Sequence, residues 1–93
     1  MIVGLLEINL RIPMARSLKD RRNIIRSLSQ KIQNKYNVAL AEVNTDRKWK
    51  DVTLAVVTVS ERKVNVEKTL NRVDEFVDQF AGVICAGVNF KYF

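Results

Sequence analysis

Ninety-three residues, 47% apolar and 28% charged with a formal charge of +6, describe one domain of ordinary globular composition. No apolar run approaches the roughly 20 residues that cross a bilayer, and MIVGLLEINLRI lacks the basic leader of a signal peptide. One Cys and no His exclude an internal disulfide, paired zinc ligands and histidine-based or Ser-His-Asp catalysis. The expectation is a cytoplasmic protein, not an enzyme, with no cofactor, no metal and no membrane contact.

Residues 2–12 read as a strand. Ile2, Gly4, Leu6, Ile8, Leu10 and Ile12 share one face by the two-residue period, and Val3, Leu5, Glu7, Asn9 and Arg11 line the other. Pro13, with φ fixed and no N–H, suits the strand's exit. Ser17 is a good N-cap, and Asp20 three residues on approximates a capping box. Leu18, Ile25, Leu28 and Ile32 recur on one face with Ile24 at its edge, which predicts an amphipathic helix over 18–35. Arg21 falls at the edge of that apolar arc, where its stem can lie past the sheet end.

Val38 to Asn44 is a second strand, and the polar run 45–51 a hairpin connection. Residues 52–59, VTLAVVTV, are apolar and β-branched on both faces, as in a central strand. Ser60 is expected to cap a second helix, whose Val66, Leu70, Val73, Val77 and Phe80 make one stripe with Phe76 beside it. Gly82 marks its stop, and residues 83–93 read as the last strand. Cys85, within GVICAGV, is expected to be a core residue.

The order β-α-β-β-α-β with right-handed crossovers predicts an α+β, ferredoxin-like sandwich over residues 1–93. Its sheet is four-stranded and antiparallel, with both helices on one face. Yet the first, third and fourth strands carry apolar residues on both faces. An uncovered apolar patch usually marks an interaction surface, so a homodimer is expected, with Val3, Leu5, Phe90 and Tyr92 at its interface.

Charge is distributed unevenly. The stretch from Arg11 to Lys35 holds eight bases and one acid, +7, while the rest of the chain sums to −1. An anionic partner is the natural complement. Free N–H groups and the positive dipole end make a helix start favourable for phosphate. Arg16 and Ser17 stand at that start, Lys19 and Arg22 on its solvent side, and Arg26 continues the stripe. Arginine forks match phosphate oxygens. Trp49, among Arg47, Lys48 and Lys50, is placed to stack on a base or to close the end of the core. The two central strands carry no aromatic residue, so stacking on the sheet in the manner of an RNA-recognition motif is not expected.

Several segments together resemble the bacterial YlxP-like family. They are Met1-Ile2-Val3-Gly4, Arg11-Ile12-Pro13, Ala15-Arg16-Ser17-Leu18-Lys19, Asn37-Val38, Ala41-Glu42-Val43, Asp46 with Trp49, and Val59-Ser60. Asp20-Arg21-Arg22 departs mildly from the family's Glu-Lys-Arg. The resemblance implies a ferredoxin-like fold and proximity to translation and ribosome-maturation factors, and it supplies no catalytic residues. The expected partner is therefore RNA or a ribosomal particle, held through Arg16, Ser17, Lys19, Arg22, Arg26 and Trp49. The competing function is a self-associating scaffold or regulatory module that binds a protein or small ligand between subunits. The basic face would then serve solubility alone.

Overall fold

The alternation from Ile2 to Ile12 folds as a long central strand in the computed structural model, which describes residues 1–43 and 50–93. The elements are β1 (Ile2–Arg11), α1 (Leu18–Lys35), β2 (Ala39–Val43), β3 (Asp51–Ser60), α2 (Lys63–Asp78) and β4 (Ile84–Tyr92). They form one sheet in the order β2-β3-β1-β4, with every neighbouring pair antiparallel. This is the ferredoxin-like arrangement expected from the element order.

The even-numbered face of β1 is the inner one. Leu6 stands opposite Val56 and Phe90, and Ile8 opposite Leu54 and Val88. Ile25, Leu28 and Ile32 of α1 and Val66, Leu70, Val73 and Val77 of α2 close over these strands, all buried. A strand buried on one face and packed under two helices derives its stability from that apolar area. Gly4 lets α2 come close: a Cβ there would overlap Val66 Cγ1 and stand 2.9 Å from Leu70 Cδ1.

Ser17 caps α1 as expected. Its Oγ accepts from the Asp20 N–H at 3.1 Å, and Asp20 Oδ2 accepts in turn from the Arg16 N–H at 3.1 Å. The carboxylate thus reaches one residue further back than a standard capping box requires. At the other end the Tyr36 N–H returns to the Ile32 carbonyl at 2.8 Å. The Asn37 carbonyl accepts from the Thr58 hydroxyl at 2.9 Å, which ties the exit of α1 to β3.

Two sequence expectations are corrected. Ser60 belongs to the end of β3, and α2 starts at Lys63 after Arg62, which provides no side-chain cap. Ser60 Oγ instead accepts from the Arg62 N–H at 3.4 Å across the turn. Leu18 has the angular position of a core residue but is 63% exposed. Strand β4 also carries an irregularity. Gly87 pairs with Asn9 and Cys85 with Leu10, leaving Ala86 as the extra residue of a bulge.

Candidate nucleic-acid interface

The six bases of α1 divide by environment. Helical spacing sets Lys19, Arg22 and Arg26 on one side, all exposed, over roughly 10 Å of axis at 1.5 Å per residue. Among the described residues no carboxylate lies within ion-pair distance of them. Arg16, also exposed, precedes them at the helix start.

Arg21 behaves differently. Its stem runs along the inner side of the sheet, and Nη2 donates to Glu42 Oε2 on β2 at 2.5 Å, in a largely buried ion pair. Lys31 and Lys35 turn toward the seam between the helices. The Lys31 ammonium sits 5.3 Å from the Phe80 ring centre, and that of Lys35 lies 5.2 Å from Phe76 and 5.7 Å from Tyr36. Cations over aromatic faces are held by the ring quadrupole. The unpartnered charge is therefore concentrated in the first half of the helix.

The start of α1 is already furnished with an anion. The Asp20 carboxylate sits at the positive dipole end and binds the Arg16 N–H, and Ser17 Oγ is engaged by the cap. Ser17 thus shapes the helix start, and among the described residues the side chains of Arg16, Lys19, Arg22 and Arg26 have no carboxylate partner. Trp49 lies outside the described residues, as do Arg47 and Lys48.

The four expected interface residues do not share a surface. Val3 and Leu5 lie on the sheet face that no helix covers. Phe90 and Tyr92 oppose Leu6 and Gly4 and pack against the core on the helix side. The Lys63 ammonium lies 5.0 Å from the Tyr92 ring centre. The aromatic residue on the open face is Phe93, which exchanges both backbone hydrogen bonds with Val3 at 2.8 and 3.1 Å and is 70% exposed. The β4 bulge reverses the parity of the last strand, so no count from Gly82 assigns its faces.

Along the open face, character changes from one end to the other. Val3, Leu5, Val57, Val59 and Phe93 make one end apolar, with Val59 54% exposed. Glu7 pairs with Lys91 at 3.2 Å in the middle. Arg11 Nε donates to Asp51 Oδ1 at 3.2 Å at the far end, next to the Thr53 hydroxyl, which donates to Asn9 Oδ1 at 2.9 Å. Glu7 and Glu42 face opposite sides of the sheet and have separate cationic partners.

A second acid group lies where α2 meets β4. Ligand atoms of Asp74, Asp78 and Cys85 stand within 4.8 Å of one another. Burial, then Asp78 and Glu75, raises the Asp74 pKa, and burial raises that of Cys85. The thiol is half-buried against the core and remains protonated at neutral pH.

The uncharacterised protein YlxP of Bacillus subtilis (strain 168) is 33% identical over 79 residues, spanning 85% of this chain and 86% of that one. A family model described as "Protein of unknown function (DUF503)" matches residues 3–89. The chain belongs to this YlxP-like family. The fold of this YlxP-like chain is also that of the de novo designed protein Foldit4, with a TM-score of 0.53 at 15% identity over 98% of this chain and 96% of that one. A second designed protein, Ferredog-Diesel, aligns over 96% of the chain and 83% of its own at 9% identity and a TM-score of 0.49. The likeness to Foldit4 concerns fold alone.

The Arg21–Glu42 pair carries a signal in the sequence. Glu42 shares strand parity with Val38 and Leu40, which places an acid at an inward position opposite the inward edge of α1.

Proposed function

We propose that this YlxP-like protein is a cytoplasmic, non-enzymatic RNA-binding protein that acts on a ribosomal or precursor RNA through the first half of α1. The observation that carries the reading is the stripe of Lys19, Arg22 and Arg26, exposed and without a carboxylate partner among the described residues, with Arg16 ahead of it. Arg22 and Arg26, four residues apart, repel each other where an opposite pair would attract.

Contacts of this kind are to phosphates, and each releases counterions. Three to four such contacts give a salt slope of about −3 in log K against log salt. Sequence preference from the stripe itself is weak, because phosphates are common to all sequences. Substituting Lys19, Arg22 and Arg26 together by Gln removes the stripe without touching the core. Filter or anisotropy binding to a structured-RNA pool is expected to be lost, with an unchanged circular dichroism spectrum. A variant that binds as the wild type does contradicts the assignment.

The apolar end of the open sheet face favours a second element of the reading, self-association into a homodimer. Val57, Val59 and Phe93 are exposed large apolar residues on a face that has no helix to cover it. Under the competing scaffold reading the same dimer would be the functional unit, and the triple variant would alter solubility alone.

A further inference from the structure

We propose that two copies of the chain pack open face to open face about a two-fold axis running along the strands, midway between β1 and β3, a geometry that rests on the self-association reading above. In a two-fold dimer the same patch meets itself, so whatever one face presents the same face must also accept. The open face has both the projecting and the receiving parts.

Its two margins differ in height. On the β2 side Ala39 and Ala41 are exposed, and Ala55 stands opposite Ala41, all three with the outward parity of Val57. Small side chains leave that margin low. At its end lies a depression of about 330 Å³, bordered by Asn37, Ala39, Val57 and Val59. Ligand clefts run to about 300–1,000 Å³, so this hollow suits a single aromatic ring. On the β4 side Lys91 and Phe93 are both exposed, Phe93 the more so at 70%. The strand order β2-β3-β1-β4 sets these two margins at opposite sides of the sheet. A two-fold axis between the central strands lays the β4 margin of each copy over β2 of the other. Phe93 is level with Val3, and Val3 with Val59, so the ring descends at the hollow, once in each copy.

Charge selects the direction of the axis. Sheets packed face to face keep their strands roughly aligned and about 10 Å apart, so the axis runs either along the strands or across them. An axis across them sets the Arg11–Asp51 end of each copy on Val59 and Phe93 of the other, where charges would be buried against apolar side chains. An axis along them exchanges the members of each β1–β3 register pair. Val3 then faces Val59 of the second copy, Leu5 faces Val57, and Arg11 faces Asp51. Apolar meets apolar, and each charge meets its opposite.

Arg11 Nε donates to Asp51 Oδ1 within its own chain. A guanidinium carries five N–H donors and a carboxylate about four acceptor sites, so both groups have capacity for a second partner. In the dimer these four side chains close a ring of alternating charge at the far end of the seam. Glu7 and Lys91 enter the contact already joined at 3.2 Å, opposite charges that are covered together and not singly.

The test mixes two variants. Arg11→Asp and Asp51→Arg each bring like charges together at the seam, and each alone should dimerise at least about tenfold more weakly than the wild type, by sedimentation equilibrium. Mixed one to one, they should form a heterodimer, read by native mass spectrometry with one chain isotopically labelled. Each chain has lost its internal Arg11–Asp51 pair, so the recovery comes from contacts between chains. Both variants keep a net positive charge, the natural +6 lowered or raised by two, so attraction between whole chains does not account for it. Phe93→Ala removes the ring and Ala39→Trp fills its hollow; each should weaken the dimer about tenfold, as loss of one aromatic anchor does. None of these four positions belongs to the core, and circular dichroism checks that each variant folds. A dimeric wild type whose charge variants gain nothing on mixing, or whose Phe93→Ala and Ala39→Trp forms associate unchanged, overturns this packing and leaves a dimer joined elsewhere. A wild type that stays monomeric at its highest soluble concentration overturns self-association itself.

Discussion

Arg21 and Glu42 illustrate how one side chain can leave a charged surface and become part of the frame. Arg21 Nη2 and Glu42 Oε2 meet where the inner edge of α1 crosses β2, and both side chains are mostly covered. Removing either partner strands the other charge. We expect Arg21→Ala or Glu42→Ala to cost about 1–3 kcal/mol, read as a lowered Tm, with the double variant losing less than the sum of the two. Strict additivity would mean the pair contributes nothing as a pair. Asp74 gives a prediction of opposite sign. Its folded-state pKa is raised, by burial first and then by Asp78 and Glu75, so the folded state holds this proton to higher pH than the unfolded chain does. The stability it contributes is complete below the ordinary carboxylate range and is lost as pH rises through the raised value. Asp74→Asn should therefore raise Tm at neutral pH and leave it unchanged in strong acid. A lowered Tm at neutral pH would contradict this.

Single elements were legible in the sequence to the extent that one physical rule governed them. The boundaries of α1 follow from the Ser17 cap and the Ile25, Leu28, Ile32 period, and both are observed. β1 follows from the two-residue spacing of Ile2, Gly4, Leu6, Ile8 and Leu10, and α2 from Val66, Leu70, Val73 and Val77. The misplacements arise where a second element decides. Leu18 has the right angle but is exposed, which periodicity within one helix does not report. Phe90 and Tyr92 take the inner face because Ala86 is inserted opposite β1, a matter of pairing and not of composition. Ser60 has good capping chemistry, yet the ladder with Ile2 retains it in β3. Gly4 is the point where two elements meet most tightly. Gly4→Ala forces α2 away from β1 through Val66 and Leu70, at a cost of about 1–3 kcal/mol, measurable as a shift in the urea midpoint. An unshifted midpoint would show that α2 moves freely.

For the molecule as a whole, the two uncovered surfaces are separate. The basic stripe lies on the outward side of α1, and the apolar end of the open face lies on the far side of the sheet from both helices. Strands of 10, 5, 10 and 9 residues, about 4.8 Å apart, present roughly 540 Å² in projection at about 3.3 Å per residue, below the roughly 800 Å² per partner of a standard interface. Val57→Asp places a charge in the apolar end, and sedimentation should move from dimer to monomer. A wild-type chain that sediments as a monomer at its highest soluble concentration would contradict the dimer. Two copies joined by their sheets would carry their basic stripes outward, so RNA binding and self-association do not compete for one surface.

The decisive measurement is a salt titration of binding to a structured-RNA pool, with the Lys19/Arg22/Arg26 to Gln variant alongside the wild type. Wild-type binding is expected to be micromolar or tighter at low salt, with a log–log slope of about −3, and the variant is expected not to bind. Absence of wild-type binding at low salt, or a variant whose affinity and slope match the wild type, would contradict it and leave the open sheet face as the working surface.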